Sequence, residues 1–313
     1  MDISVVLATY NRDEILAKTL LSFQSLKTDG LAWQVFVVDN ACRPETLKLV
    51  SGFSESLPVR YLEEATAGKN NALLRAMPEV EGQLVVFTDD DVIADPDWLL
   101  NLWSGAKRLP EFDLFGGRIL PLFPEGMEPE EGIDLDNGFT RSAYVIADWD
   151  LPEGEIRPGR IWGPNMAVRK RVFEAGYSFD PSIGPSQSTN YTMGSETEFL
   201  LRASEAGFRS ACIPSALVHH QIRPNQLSID WLRGRAYRQG KGKAALYREF
   251  DGYKHWFGVP RFLFRKLLTL FTKTQLWRFL GDSHRYYLNA IELGMFQGIF
   301  AYYREKDRPK RLR

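Results

Sequence analysis

From its first residues the chain alternates short, unbroken apolar runs with stretches in which apolar residues recur every three or four positions. ISVVLATY (3–10), WQVFVVDN (33–40), VRYLEE (59–64) and QLVVFTDD (83–90) predict strands, and the segments near 12–27, 44–54 and 69–80 predict helices between them. Strands that read as continuous apolar runs, without polar alternation, belong to a parallel sheet covered on both faces. The expected class is therefore α/β: a Rossmann-like, mostly parallel central sheet with helices on both faces. Asn11 followed by Glu14 predicts a capping box for the first helix. Asp95-Pro96-Asp97 ahead of WLLNLW predicts an N-cap with proline at the first helical position.

Beyond residue 110 the rhythm loosens. GGRILPLF (116–123) predicts a strand, 124–138 is rich in Pro, Gly and acids and reads as a loop, and 161–179 reads as strand, turn and short helix. ETEFLLRASEAGF (196–208) predicts a helix ending near Gly207, followed by a strand over ACIPSALVHH (211–220) and a long helical tract from about 228. The expected division is a catalytic domain over 1–230 and a helical, basic region over 231–313.

Charge sharpens that division. The net charge is −1, yet residues 1–230 hold 20 basic and 34 acidic side chains, whereas 231–313 hold 19 and 6. The tail is also aromatic, with Trp256, Phe257, Phe262, Phe264, Phe271, Trp277, Tyr286 and Tyr287 among its Lys and Arg. That composition suits a helix lying in a membrane interface, and equally a helix whose apolar face packs on the domain while its charges face water. No stretch is long and apolar enough for a span: FLFRKLLTLF is interrupted by Arg265 and Lys266, and LNAIELGMFQGIFAYY by Glu292 and Gln297. No signal peptide is legible at the start, and Cys42 and Cys212 match no zinc or redox spacing, which suits reduced thiols in a cytoplasmic setting.

The chemistry concentrates at strand ends. Ligands of an open α/β sheet bind beyond the carboxyl ends of its strands. Those ends carry Thr9-Tyr10-Asn11, then Asp39-Asn40, then Asp89-Asp90-Asp91. Three adjacent carboxylates after a buried strand raise one another's pKa unless water, basic groups or a divalent cation compensates. Hard oxygen ligands are what Mg²⁺ or Mn²⁺ takes when it also holds phosphates. GxxxxGK[ST] and GxSxG are absent, and Gly240-Lys-Gly242 lies in a helical tract rather than after a strand.

Taken in order, these segments resemble the family 2 glycosyltransferases, inverting enzymes of the GT-A fold that use nucleotide-diphosphate sugars. The resemblance covers about residues 1–242. Ala8-Thr9-Tyr10-Asn11-Arg12 looks like the first-strand loop against the nucleotide, and Val37-Val38-Asp39-Asn40 like the second strand, whose Asp meets the base, usually uracil. Gly68-Lys69-Asn70-Asn71-Ala72 is similar to a G-x-x-x-A segment without the usual Arg-Asn pair, and Asp89-Asp90-Asp91 fits the DxD motif. The resemblance implies Asp91 as metal ligand, with Asp89 and Asp90 towards ribose and diphosphate and Lys69 and Asn70 on the donor side. It further implies that Asn165, in Gly163-Pro164-Asn165-Met166, flanks the acceptor, and that His220 is a further metal ligand, ahead of His219. Gly194-Ser195-Glu196-Thr197-Glu198 lies where the family has a Glu-Asp pair, so Glu196 replaces the general base, with Glu198 as rival. LRGRAYRQG places Arg235 beside the diphosphate by the same resemblance. The implied cofactor is Mn²⁺ or Mg²⁺, and the implied donor a UDP-sugar. The partners are a glycan or lipid-linked acceptor and a peripheral contact with the inner face of a membrane through 231–313, with no nucleic acid.

Each assignment has a plainer rival. Glu196 and Glu198 also suit the first turn of a helix, where the dipole favours acids. His220 suits a satisfied structural histidine, Asp39 a helix cap, Thr9 and Asn11 a turn and a cap, and Trp98, Trp103 and Trp162 the core. A sugar-nucleotidyltransferase would carry a Gly-rich, Arg-containing loop where ATYNR stands. A processive synthase would carry QxxRW and spanning helices. A catalytically silent sheet domain that docks through its basic tail is the rival from another class, and nucleotide-sugar turnover separates it from the enzyme.

Overall fold

The computed structural model describes residues 1–184, 194–246, 250 and 252–305. In chain order its strands are β1 (Ile3–Thr9), β2 (Trp33–Asp39), β3 (Val59–Glu63), β4 (Leu84–Asp89), β5 (Val92–Ala94), β6 (Leu114–Leu122), β7 (Gly154–Glu155), β8 (Met166–Arg169), β9 (Ser210–Gln221), β10 (His255–Trp256) and β11 (Val259–Pro260). The helices are α1 (Asp13–Gln24), α2 (Pro44–Ser51), α3 (Lys69–Ala76), α4 (Trp98–Arg108), α5 (Gly138–Ala143), α6 (Lys170–Glu174), α7 (Ser195–Glu205), α8 (Ile229–Leu246), α9 (Phe262–Leu280) and α10 (Ser283–Arg304). Among the described residues, 1–122, 145–184 and 195–221 form one unit, and 123–144 and 222–305 belong to a second.

In the first unit the sheet runs β3-β2-β1-β4-β8-β6-β9-β5, with β7 pairing β9. The first four strands are mutually parallel; β8 then runs antiparallel to both β4 and β6, and β5 antiparallel to β9. The strands predicted from apolar runs all form. Alternate residues explain why both faces had to be apolar: Ile3, Val5 and Leu7 pack under α1 and α4 (Leu16, Leu20, Trp98, Leu102). Val6, Phe36 and Val38 pack against α3 and α7 (Ala72, Leu73, Phe199, Ala203) on the other face. Trp98 is core, as its plainer reading had it: fully buried and stacked on Phe23 at 5.7 Å.

The helix starts differ from the local prediction. Arg12, not Asn11, is the N-cap of α1, no side chain caps it, and Asn11 takes a left-handed φ of 54°. Asp95 does not cap α4; its Oδ1 accepts from the Asp97 backbone N at 3.0 Å, tightening the turn before a helix that begins at Trp98. Asn11 and Asp95 answer to the strand-end loops they sit in, a constraint the helix signal does not contain.

A register shift in β9 matters for the site. β6 pairs with it up to Gly117↔Ile213 and resumes at Arg118↔Leu217. The resumed stretch carries β9 out to His219 and His220, where β5 joins it with Val92 opposite His220. The shift is pinned by Asn165, whose Nδ2 donates to the Arg118 and Ala216 carbonyls, both at 2.9 Å.

In the second unit, the segment read as a loop is built into the fold. Glu130 receives the Ile229 N at the start of α8 on Oε2 (2.8 Å), and Tyr144 stacks on Trp231 with ring centres 6.0 Å apart. Helices α8 and α10 pack backbone to backbone. A Cβ on Gly298 would lie 1.9 Å from the Tyr237 carbonyl oxygen, and one on Gly240 2.0 Å from that of Met295. No helix among the described residues is long and apolar enough to cross a membrane.

Candidate active site

Strand register assembles the crevice. Thr9 lies opposite Asp39, and Ala8 opposite Asp89, so the ends of β1, β2 and β4 arrive together at one edge of the first unit. Each strand then turns; Tyr10 and Asn11 after β1 are exposed, whereas Asn40 after β2 and Asp90 and Asp91 after β4 are buried.

Each of the three aspartates has a basic partner, Arg12 being shared by Asp90 and Asp91, which answers how the chain tolerates them. Asp90 points inward, 3% exposed; Thr9 Oγ1 donates to it at 2.7 Å and Arg12 Nη1 at 3.0 Å. Burial first, then the charge of Asp91, pushes its carboxyl up to about 6, against the pull of Arg12 and Thr9. Asp90 is thus the internal strut of the loop. Asp91 faces Arg12 Nη1 at 3.4 Å on one side and His220 Nε2 at 3.6 Å on the other. Asp89 receives Lys69 Nζ at 2.6 Å.

Lys69 also bonds Glu196 Oε1, at 2.9 Å, bridging residues 127 positions apart in the chain. Ser195 Oγ donates to the other carboxylate oxygen at 2.9 Å. Burial by itself would raise the Glu196 carboxyl, but Lys69, the helix-start backbone and Ser195 together hold it down to about 2. Lys69 is raised in turn by Asp89 and Glu196 against its burial. Gly163 is the floor of this pocket: a Cβ there would lie 2.7 Å from Glu196 Oε1.

The donor-side neighbours are tightly built. Asp39 is fully buried and accepts from the backbone N of Ala41 (2.8 Å) and Arg43 (2.7 Å) and from Tyr61 OH (3.1 Å). It organises the turn after β2 without capping the next helix, since α2 has Arg43 as its N-cap and no side-chain cap bond. Asn40 ties that turn to the next: its Nδ2 donates to the carbonyls of Glu64 and Thr66, and its Oδ1 accepts from Gly68 N at 2.7 Å, just where α3 begins. Tyr10 is half exposed at the rim, and Asn11 accepts from Arg43.

Several expected residues stand elsewhere. Asn165 is fully buried and its amide is consumed: besides pinning β9, its Oδ1 accepts from Trp98 Nε1 at 2.9 Å. The fold gives it a structural task rather than an acceptor contact. Asn70 donates to the Asp180 and Ile183 carbonyls at 2.7 and 3.0 Å. Glu198, the rival base, is taken by Arg202 in a two-pronged pair at 2.7 and 3.0 Å. Arg235 lies on α8 in the second unit. The sequence reading missed Tyr61, Ser195 and Gly163, and saw in Lys69 only a donor contact. Nothing in local sequence signals a lysine that bridges two distant acids.

Among the described residues, no group of three or more His, Cys, Asp and Glu side chains is gathered to cage a cation. A cation delivered with a diphosphate needs only one or two protein donors, since phosphates and water complete its shell. Asp91 and His220, both largely buried, form such a pair and fit that mode.

Residues 4–121 match the family model Glycosyl transferase family 2. The chain is 28% identical over 256 residues to the succinoglycan biosynthesis protein ExoM of Rhizobium meliloti, covering 80% of this chain and 76% of that protein. It is 27% identical over 260 residues to the O-antigen biosynthesis protein RfbC of Myxococcus xanthus, covering 77% of this chain but only 19% of that longer protein. The solved structures are alike in fold alone. The Pyrobaculum calidifontis mannosyltransferase PcManGT, in complex with GDP-Man and Mn²⁺, superposes with a TM-score of 0.55 at 17% identity, over 96% of this chain and 73% of that one. The Staphylococcus aureus TarS fragment, in complex with UDP-GlcNAc, gives 0.53 at 16% identity over 71% of this chain and 59% of that one. Over residues 4–121 the chain thus matches the glycosyltransferase family 2 model, and its fold is the GT-A fold of these solved structures.

Proposed function

We propose that this chain moves a sugar from a nucleotide-diphosphate sugar, a UDP-sugar in the first instance, to an acceptor hydroxyl with inversion. The acceptor is a glycan or lipid-linked glycan in cell-surface polysaccharide synthesis, reached from the cytoplasmic side with peripheral contact at the inner membrane face through 231–313. The observation that carries the reading is the Lys69 bridge: Asp89 at the donor edge and Glu196 on α7 stand within reach of one ammonium group. A reaction that needs a charged leaving group on one side and a proton acceptor on the other needs those two places adjacent.

In this reading Glu196 takes the proton of the attacking hydroxyl. Held at about 2 by Lys69, it is a weak base in the ligand-free site; an incoming diphosphate competes for Lys69 and restores its proton affinity. Ser195 and the floor at Gly163 keep the carboxylate aimed while that happens. Asp91 and His220 would hold Mn²⁺ or Mg²⁺, which would supply neutralisation of the leaving diphosphate. Arg12 and Thr9 hold Asp90, and so fix the loop on which Asp91 stands. UDP is favoured by the resemblance around Asp39 and by the UDP-GlcNAc in the TarS complex; the GDP-Man in PcManGT makes a guanosine donor the alternative.

Calorimetric titration with UDP, GDP and dTDP, each with Mn²⁺ and with chelator, tests this. The expected result is metal-dependent binding of one nucleotide, weakened at least tenfold by Asp91→Asn. A folded sample that binds none of the three sinks the reading.

A further inference from the structure

Helix α9 presents two apolar faces. Leu263, Leu270 and Thr274 face inward and are buried. Phe264, Leu268, Phe271 and Phe279, at spacings i, i+4, i+7 and i+15, line another side of the helix and are exposed, Leu268 by 65% and Phe279 by 86%. A helix with only one face to bury carries polar residues on the other. The stripe continues into the β10–β11 hairpin. The rings of Trp256 and Phe264 lie 6.4 Å apart, and Phe257, 89% exposed, forms the tip at a left-handed φ of 48°. The base of the hairpin is fixed: Val259 is fully buried against Leu263, Ile299 and Tyr303, and Arg261 N donates to the Lys254 carbonyl at 2.8 Å. The tip is thus held out on a firm support. Soluble surfaces rarely keep so many large apolar groups together unless something covers them.

Charge says what covers them. Residues 252–281 hold six basic side chains and no acidic one. Lys266 turns inward to Glu292 at 2.6 Å. The other five, Lys254, Arg261, Arg265, Lys273 and Arg278, are exposed, with Arg278 beside the stripe, Arg265 on its flank and Lys273 on the far side of the helix. Two copies of this face laid together would set like charges against one another with no acidic side chain between them, which argues against self-pairing. An anionic lipid surface meets both demands: aromatic and leucine side chains enter the acyl boundary while Lys and Arg reach the headgroups.

We propose that the outer stripe of α9, with the Trp256–Phe257 hairpin tip, is a membrane-docking face for anionic lipid that lies in the interface plane without crossing it. This deepens the peripheral placement proposed above and does not depend on the donor chemistry. The test is flotation of the full chain with phosphatidylcholine vesicles, with and without phosphatidylglycerol, at low and high salt. Binding is expected only to the anionic vesicles and to fall with salt. The variant Leu268→Ser/Phe271→Ser/Phe279→Ser should bind at least tenfold more weakly. Arg265→Gln/Lys273→Gln/Arg278→Gln should lose about fivefold per charge. All six positions are exposed, so thermal unfolding should be unchanged. Nucleotide binding without lipid should be unchanged too, which keeps a failure of docking separate from a failure of the donor reading. Wild-type protein that never floats, flotation indifferent to the apolar variant, or vesicle-free self-association abolished by the same substitutions overturns the proposal; the last would make the face a contact between copies.

Discussion

The bridge between Lys69 and Glu196 offers the sharpest quantitative test. Glu196 titrates at about 2 in place of its ordinary 4.5, and each tenfold change in proton affinity is worth about 1.4 kcal/mol. Burial, Lys69, the helix-start backbone and Ser195 together therefore contribute about 3 kcal/mol net at neutral pH for a side chain that is 22% exposed, with Lys69 the largest favourable part. The sign follows from the direction. A carboxylate held below its unfolded value stabilises the fold fully above about pH 4.5, and that contribution drains away as pH falls through 2. At about pH 3 roughly 1 kcal/mol should remain. Asp89 stays in place in every variant, so the cycle of Lys69→Met, Glu196→Gln and the double variant isolates the one pair. Urea unfolding at neutral pH and near pH 3 is the assay; the coupling should be favourable, on the order of 3 kcal/mol at neutral pH, and should fall by about half or more near pH 3. A coupling below about 0.5 kcal/mol at neutral pH, or one equal at the two pH values, would refute the electrostatic account of this site.

Other consequences are more local. Gly298→Ala should cost about 1–3 kcal/mol in thermal unfolding, because its Cβ meets the Tyr237 carbonyl at 1.9 Å and the α8–α10 pair must part. Gly234→Ala, whose Cβ meets nothing nearer than Arg238 Nη1 at 3.8 Å, should stabilise α8 by up to about 1 kcal/mol. Asn165→Ala leaves the Trp98 N–H and two carbonyls unanswered and should destabilise by about 3 kcal/mol; because Asn165 pins the shift that carries His220 to Asp91, metal-dependent nucleotide binding should weaken with it. Glu198→Gln should weaken the Arg202 pair while sparing turnover, whereas Glu196→Gln should lower sugar transfer by about 10²-fold or more; equal losses in the two variants would return Glu198 to the base position.

What the sequence determined alone is the part written in short-range pattern. Continuous apolar runs specify β1, β2 and β4 because a strand buried on both faces has no polar side to show. The carboxyl-end rule then places Thr9, Asp39 and Asp89–Asp91 on one edge, since parallel strands align like ends. The pairing of Asp91 with His220 needed more. It depends on β5 running antiparallel to β9 beyond a register shift that Asn165 pins from a third segment. That is why Asn165 looked like a ligand contact in sequence and proves to be a fastening in the fold. Lys69 and Glu196 meet because α3 and α7 pack on the same face of the sheet, and no period or spacing records a contact across 127 residues. The tail shows the same limit. Its composition announced an aromatic and basic helix, but apolar residues on two sides of α9 give a pattern with no single face. Only packing against the second unit's core decided that Leu263 and Leu270 go in, leaving Phe264, Leu268, Phe271 and Phe279 outside.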